Sequence, residues 1–187
     1  VDRLQYAVTP RFAPTSTAEQ LAAAGRLLAE HKGVYLHTHL AENIDEIKWV
    51  KTLFPEAKDY LDVYDQAGLL GKRSVFAHGI HLCDRECERL ATSDSAIAHC
   101  PTSNLFIGSG LFPMARLQNH GIKIGVGTDV GGGTSFNMLQ TLADSYKMQQ
   151  LQGHNLSPEQ SFYLATLGGA NALDLDNKIG NFAIGKE

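Results

Sequence analysis

No apolar run in this chain reaches the roughly 18 residues that a membrane-spanning helix needs. No basic-then-apolar leader is present at its start, so neither a membrane anchor nor a secretory signal is expected. Cysteine is scarce. Cys83, Cys87 and Cys100 are an odd set without framework spacing, which excludes a disulfide-stapled fold and points to a reducing cytoplasm. Cys83 and Cys87 lack the two further close ligands that a zinc knuckle requires and are expected as buried thiols. Excess positive charge is absent too. Sixteen Lys and Arg against 20 Asp and Glu give a net charge of −4, so neither nucleic acid nor an acidic membrane surface is an expected partner. There is no internal repeat, low-complexity tract or linker. The chain opens on Val1 rather than Met, so a processed or partial product is expected.

The 187 residues are 43% hydrophobic, enough for a sizeable core. Eight histidines and 18 glycines are many for this length. Several histidines sit in strand-like runs, and several glycines crowd one aspartate.

Short apolar runs alternate with helical patterns. Strands are predicted at Leu4–Val8, Val34–Leu40, Ser74–Ala77, Ala96–His99 and Lys123–Thr128. Helices are predicted over Thr17–Glu30, with Thr17 and Gln20 spaced as a capping box, and over Asn43–Phe54, where Ile44, Ile47, Val50 and Leu53 share a face before Pro55. Further helices are expected over Lys58–Ala67, Asp84–Ser93, Phe112–His120 and Asn137–Gln152, and one starting at Ser157-Pro158. Strand then helix, repeated about five times, argues for parallel βαβ units. Strands without polar alternation suit a sheet covered on both faces. An open doubly wound sheet and a (β/α)8 barrel both fit. From Asp176 the chain turns glycine-rich and loses helical period, so it is expected to leave the main layer.

Polar residues gather where the strands end. Val34–Leu40 ends in His37 and His39, with Glu42 just beyond. Ser74–Ala77 ends in His78, with His81 following. Ala96–His99 ends in His99, and Lys123–Thr128 in Asp129 before Gly131-Gly132-Gly133. Leu4–Val8 runs into Thr9-Pro10-Arg11-Phe12. That edge is where parallel α/β folds bind ligands. Zinc takes imidazole nitrogen and carboxylate oxygen, which His39, His78 and Asp129 offer from separate strands. Glu42 shares a site with His39 only if the strand ends there and the chain curls, since residues three apart in a strand point to opposite faces. It would then act as a proton shuttle that does not bind metal.

The plainer readings stand beside these. His31, His120 and His154 are expected as packed or surface residues, and His99 as structural. His37 is expected to line the barrel below the site, and His81 to lie behind the residues in contact with metal. Asp129 could cap a turn, Arg11 could be a surface ion-pair partner, and Trp49 is expected in the core.

Four segments carry a resemblance: HTHLAEN at His37–Asn43, FAHGIHL at Phe76–Leu82, AHCPTSN at Ala98–Asn104 and GTDVGGGTSFNML at Gly127–Leu139. In this order they resemble the amidohydrolase superfamily, in its nucleobase and chlorotriazine branch. TPRFAPT at Thr9–Thr15 narrows the resemblance to members acting on guanine. It implies the C-terminal portion of a distorted (β/α)8 barrel, about five βα units over residues 1–175, truncated at both ends. Residues 176–187 would begin the return to a small flanking β domain. It implies one zinc ion per site, held by His39 and Asp129, with His78 as a weaker ligand or a residue orienting water. Glu42 resembles the general acid/base, and Arg11 with Phe12 the pair that grips a purine. The implied reaction is hydrolysis of guanine to xanthine and ammonia. The family's first-strand HxH pair has no counterpart beyond His37-Thr38-His39, so the zinc site is expected to be incomplete in this chain. Deamination of another base, dechlorination of a triazine, and an inert truncated barrel are the alternatives. A homodimer is left open. The other zinc deaminase fold is excluded, because Cys100-Pro101 lacks its P-C-x-x-C spacing.

Overall fold

The computed structural model describes residues 3–187. Five parallel strands form one sheet: β1 (Ala7–Val8), β2 (Tyr35–Leu40), β3 (Ser74–His78), β4 (Ala96–His99) and β5 (Lys123–Val126). Their spatial order is their chain order, β1-β2-β3-β4-β5. A doubly wound sheet reverses direction at a switch point, whereas a barrel adds each strand beside the last. The observed order is therefore an arc of barrel, and the doubly wound alternative falls away.

Between the strands lie α1 (Ala18–Glu30), α2 (Ile44–Leu53), α3 (Tyr60–Gln66), α4 (Asp84–Thr92), α5 (Pro101–Ile107) and α6 (Met114–Asn119); α7 (Met138–Gln150), α8 (Pro158–Ala165) and α9 (Leu167–Ala172) follow β5. The caps are those the sequence offers. Thr17 accepts from the Gln20 N–H, Asn43 with Glu46 and Ser157 with Gln160 form reciprocal boxes, and Asp59 accepts from the Asp62 N–H. α5 and α9 were not anticipated. α5 starts on Pro101 and stops at Gly108 in the left-handed region, signals that a short helix displays as clearly as a long one. α9 contains Gly168-Gly169, poor helix formers, and packs against β5.

The strand register puts Thr38, Phe76 and Ile97 in one row with Ile124, facing the helices. Phe76, Ile97 and Ile124 pack with Leu21, Leu61, Leu90 and Leu117 in one continuous core. The opposite row, His39, Ala77, Ala98 and Gly125, faces the concave side. Two expectations need correction, those for Trp49 and Cys83. Trp49 is half exposed, because only Val50 of α2 is fully buried and the helix lies on the outside of the core. Ile44 and Leu53 of the same helix are also about half exposed. Cys83 is exposed at the cap of α4, while Cys87 one turn later is buried. Residues 176–187 form turns rather than helix or strand. Among the described residues no helix is long and apolar enough to cross a membrane.

Candidate active site at the carboxyl edge of the sheet

Three strand ends carry the same backbone device. Ala41 after β2 (φ 47°), His78 closing β3 (φ 73°) and Asp129 after β5 (φ 46°) all lie in the left-handed region. Side chains other than glycine seldom adopt that conformation, and it concentrates where a site imposes it. At these points the chain turns sharply at or just beyond a strand end, and after Ala41 the next side chain, Glu42, comes to His78. For Glu42 this is the curl that sharing a site with His39 requires.

The residues meet there. The rings of His39 and His78 stack with centroids 5.4 Å apart. His78 Nε2 lies 3.5 Å from Glu42 Oε2 and 4.0 Å from Asp129 Oδ2. Cys100 joins His78 and Asp129 in a cluster whose ligating atoms lie within 4.8 Å of one another. Burial, followed by the Asp129 charge, pushes the Cys100 thiol up to about 12, so it remains a neutral neighbour at ordinary pH.

Both histidines are fixed through their other nitrogen. His39 Nδ1 meets the Arg11 carbonyl at 2.7 Å. A carbonyl only accepts, so Nδ1 carries a proton and Nε2 is the nitrogen left to face the site. His78 Nδ1 likewise donates to Asn104 Oδ1 at 2.9 Å. His78 Nε2 thus faces two carboxylates, an arrangement that demands a proton or a cation among them. The ligating atoms that converge are those of His78, Cys100 and Asp129, with His39 beside them through its stack on His78. An imidazole held by an oxygen on its far nitrogen and facing a carboxylate is a donor set for zinc or a similar divalent ion. The residues present fit such an ion. Two further ligands of the kind the family resemblance implies are not found among the described residues.

Arg11 and Phe12 stand beside this cluster. The Phe12 ring lies 6.0 Å from His39, edge to face, and the Arg11 guanidinium lies 5.1 Å from the Phe12 centroid. The Arg11 carbonyl accepts from the His39 backbone N–H and from Thr38 Oγ1, which pins the loop to β2. Tyr64 secures it from behind. Its hydroxyl accepts from the Ala13 N–H and donates to the His39 carbonyl, both at 2.9 Å.

The other histidines fall outside the cluster. His37 is exposed on the concave face of β2. His81 donates from Nε2 to the Ser109 carbonyl at 2.8 Å. His99 is fully buried, stacked on Phe112 at 4.3 Å, with Nε2 3.1 Å from Ser145 Oγ. Burial, with His78 nearby, pushes it down to about 3, so it stays neutral.

Sequence reasoning missed three supports: Asn104, Ser109 and Tyr64. Ser109 Oγ donates to Glu42 Oε1 at 2.9 Å. Asn104 closes the AHCPTSN segment, five residues after His99. The glycine run after Asp129 has a steric reason. A Cβ at Gly133 would sit 1.9 Å from the Thr128 carbonyl oxygen and 2.7 Å from Thr102 Oγ1, so no side chain fits where this loop meets α5.

An arc of parallel barrel with histidines and carboxylates at its strand ends is the architecture of the amidohydrolases. The sequence pattern described as the amidohydrolase family matches residues 2–187, and the chain belongs to that family. Among its relatives is the guanine deaminase of Escherichia coli K12, 58% identical over 99% of this chain and 42% of that protein. The mouse guanine deaminase is 40% identical over the same shares. A solved structure of the E. coli guanine deaminase superposes with TM-score 0.98, covering 99% of this chain and 43% of that one. A guanine deaminase from C. acetobutylicum with guanine bound in its active site matches at 0.87, with 32% identity over 93% of this chain and 42% of that one. An adenosine deaminase from Xanthomonas campestris with bound zinc matches at 0.85, with 25% identity over 97% and 41%. The chain thus spans about two-fifths of the length of the relatives it matches.

Proposed function

We propose that this chain carries the strand-end half of a zinc-dependent active site that hydrolyses guanine to xanthine and ammonia. The convergence of His39, Glu42, His78 and Asp129 beside the Arg11–Phe12 pair carries the reading. His39 and Asp129 would hold the ion, with His78 as a weaker ligand or a neighbour that orients water. Zinc in such a site supplies Lewis acidity, which makes water nucleophilic near neutral pH.

The chain's own residues do the remainder. Glu42 takes a proton from the attacking water and passes it to a ring nitrogen of the purine. Proton transfer of this kind contributes roughly 10²–10⁴-fold. Asp129 and His78 hold the water against the carbon bearing the amino group. Water adds at that carbon, the proton of the new hydroxyl passes through Glu42 to the amino group, the C–N bond breaks as the carbonyl forms, and ammonia leaves. Arg11 donates charged hydrogen bonds to the purine carbonyl, and Phe12 packs beside the ring. The reading assigns the enzyme to the cytoplasm, leaves a homodimer to sedimentation analysis, and treats residues 176–187 as the start of a flanking β domain.

The test is ammonia release from guanine, adenine, cytosine and a chlorotriazine, with chloride followed for the last. Guanine alone should react. A chelator should abolish the reaction, and zinc should restore it. Preference for another substrate removes guanine, and indifference to chelation removes the metal.

A further inference from the structure

Glu42 and His78 come from different strand ends, yet each is held by a residue of one short segment. Asn104 on α5 accepts from His78 Nδ1 at 2.9 Å, and Ser109, just past that helix, donates to Glu42 Oε1 at 2.9 Å. The two anchors are joined directly. The chain reverses at Gly108 with φ 77°, and the Ser109 N–H donates to the Asn104 carbonyl at 2.9 Å. Ser109 is held on its far side as well, where its carbonyl accepts from His81 Nε2. His81 and Ile80 in turn donate their backbone N–H groups to the Ala41 carbonyl, at the base of Glu42. Both anchors are buried, Asn104 at 0% and Ser109 at 5% exposed, which limits the competition of water for these bonds.

We propose that Asn104 and Ser109 form a positioning pair on one rigid turn, which sets the 3.5 Å gap between His78 Nε2 and Glu42 Oε2. A free glutamate rotates about three bonds. A donor on Oε1 fixes that oxygen and leaves Oε2 to face His78. An acceptor on Nδ1 fixes both the tautomer and the ring plane of His78. Because one turn bears both contacts, the separation does not depend on how the two strands move relative to one another. A misplacement of about 1 Å in a proton-transfer geometry costs on the order of 10² in rate. The rate consequence rests on the deaminase reading, but the geometric claim does not.

The experiment uses the zinc-loaded protein expressed from its complete natural reading frame. Ser109→Ala should lower kcat for guanine about 10–100-fold, with KM within about twofold and zinc content unchanged. Ser109→Thr, which keeps the hydroxyl, should recover most of the rate. Gly108→Ala touches neither working group, since no atom lies within 4 Å of the added Cβ, and acts only by straining the turn. It should lower kcat several-fold, again with full zinc. Unchanged kcat in Ser109→Ala overturns the pair, as does a loss of zinc that matches the loss of rate. If Ser109→Ala does not fold, unchanged kcat in Gly108→Ala overturns it instead. If the unaltered protein releases no ammonia from guanine, the deaminase reading fails and crystal structures decide the pair. A displaced or smeared Glu42 carboxylate in Ser109→Ala or Gly108→Ala upholds it, and an unchanged gap to His78 overturns it.

Discussion

His78 Nε2 and Glu42 Oε2 face each other across 3.5 Å, brought together by two abrupt strand exits, at His78 itself and at Ala41. Neither exit is a glycine. The strain of two left-handed residues is accepted at the point where an imidazole and a carboxylate must meet, which is the usual place for such strain.

Glu42→Gln keeps the shape of the side chain and removes its basicity. The variant should bind zinc and a purine like the parent while kcat falls by about 10²–10⁴. Steady-state assays with metal analysis check this. Retained turnover removes Glu42 from proton transfer.

Arg11 has two separable parts. Its carbonyl holds His39, and its guanidinium lies over Phe12. Arg11→Met preserves the first and deletes the second. The loss should fall on guanine binding, with kcat/KM reduced about 10–100-fold, as for one charged hydrogen bond of about 1.5–3 kcal/mol, and zinc retained. Zinc loss in this variant would assign Arg11 to the metal site instead.

Tyr64→Phe removes the acceptor for the buried Ala13 N–H and the donor to the His39 carbonyl. An orphaned buried donor costs about 1–3 kcal/mol. Urea unfolding should show a loss of that size, together with a raised KM as the Arg11–Phe12 loop loosens. Wild-type stability would mean the hydroxyl is dispensable.

His99 gives an acid limb to stability. Its folded-state value is pushed down from 6.5 to about 3. Below pH 6.5 the unfolded chain binds a proton that the folded chain refuses, so stability falls as pH drops from about 6.5 toward 3, by up to about 1.4 kcal/mol per unit. His99→Gln should flatten that decline in urea midpoints taken between about pH 7 and 4. Equal slopes for the two proteins would place the acid sensitivity elsewhere.

Much of this was legible in the sequence because the signals are local. Caps such as Asn43 and Ser157 and the apolar strands each lie within a few residues of what they determine. The strand-end rule pointed to His39, His78 and Asp129 as candidates, and the three-residue spacing to Glu42 required the curl that Ala41 supplies. The supports were not legible. Asn104, Ser109 and Tyr64 act on partners far along the chain, and nothing in a serine after a helix reveals which carboxylate it will meet. Trp49 misled because an amphipathic helix shows which of its faces is apolar, not how much of that face the core covers.

Zinc-edge anomalous diffraction from crystals of the zinc-loaded protein bears most directly on the site. The account predicts a single strong peak bonded to His39 and Asp129 at about 2.0–2.2 Å, with Glu42 beside it but unbound. A peak at another cluster, or His39 and Asp129 turned away from the metal, would contradict it.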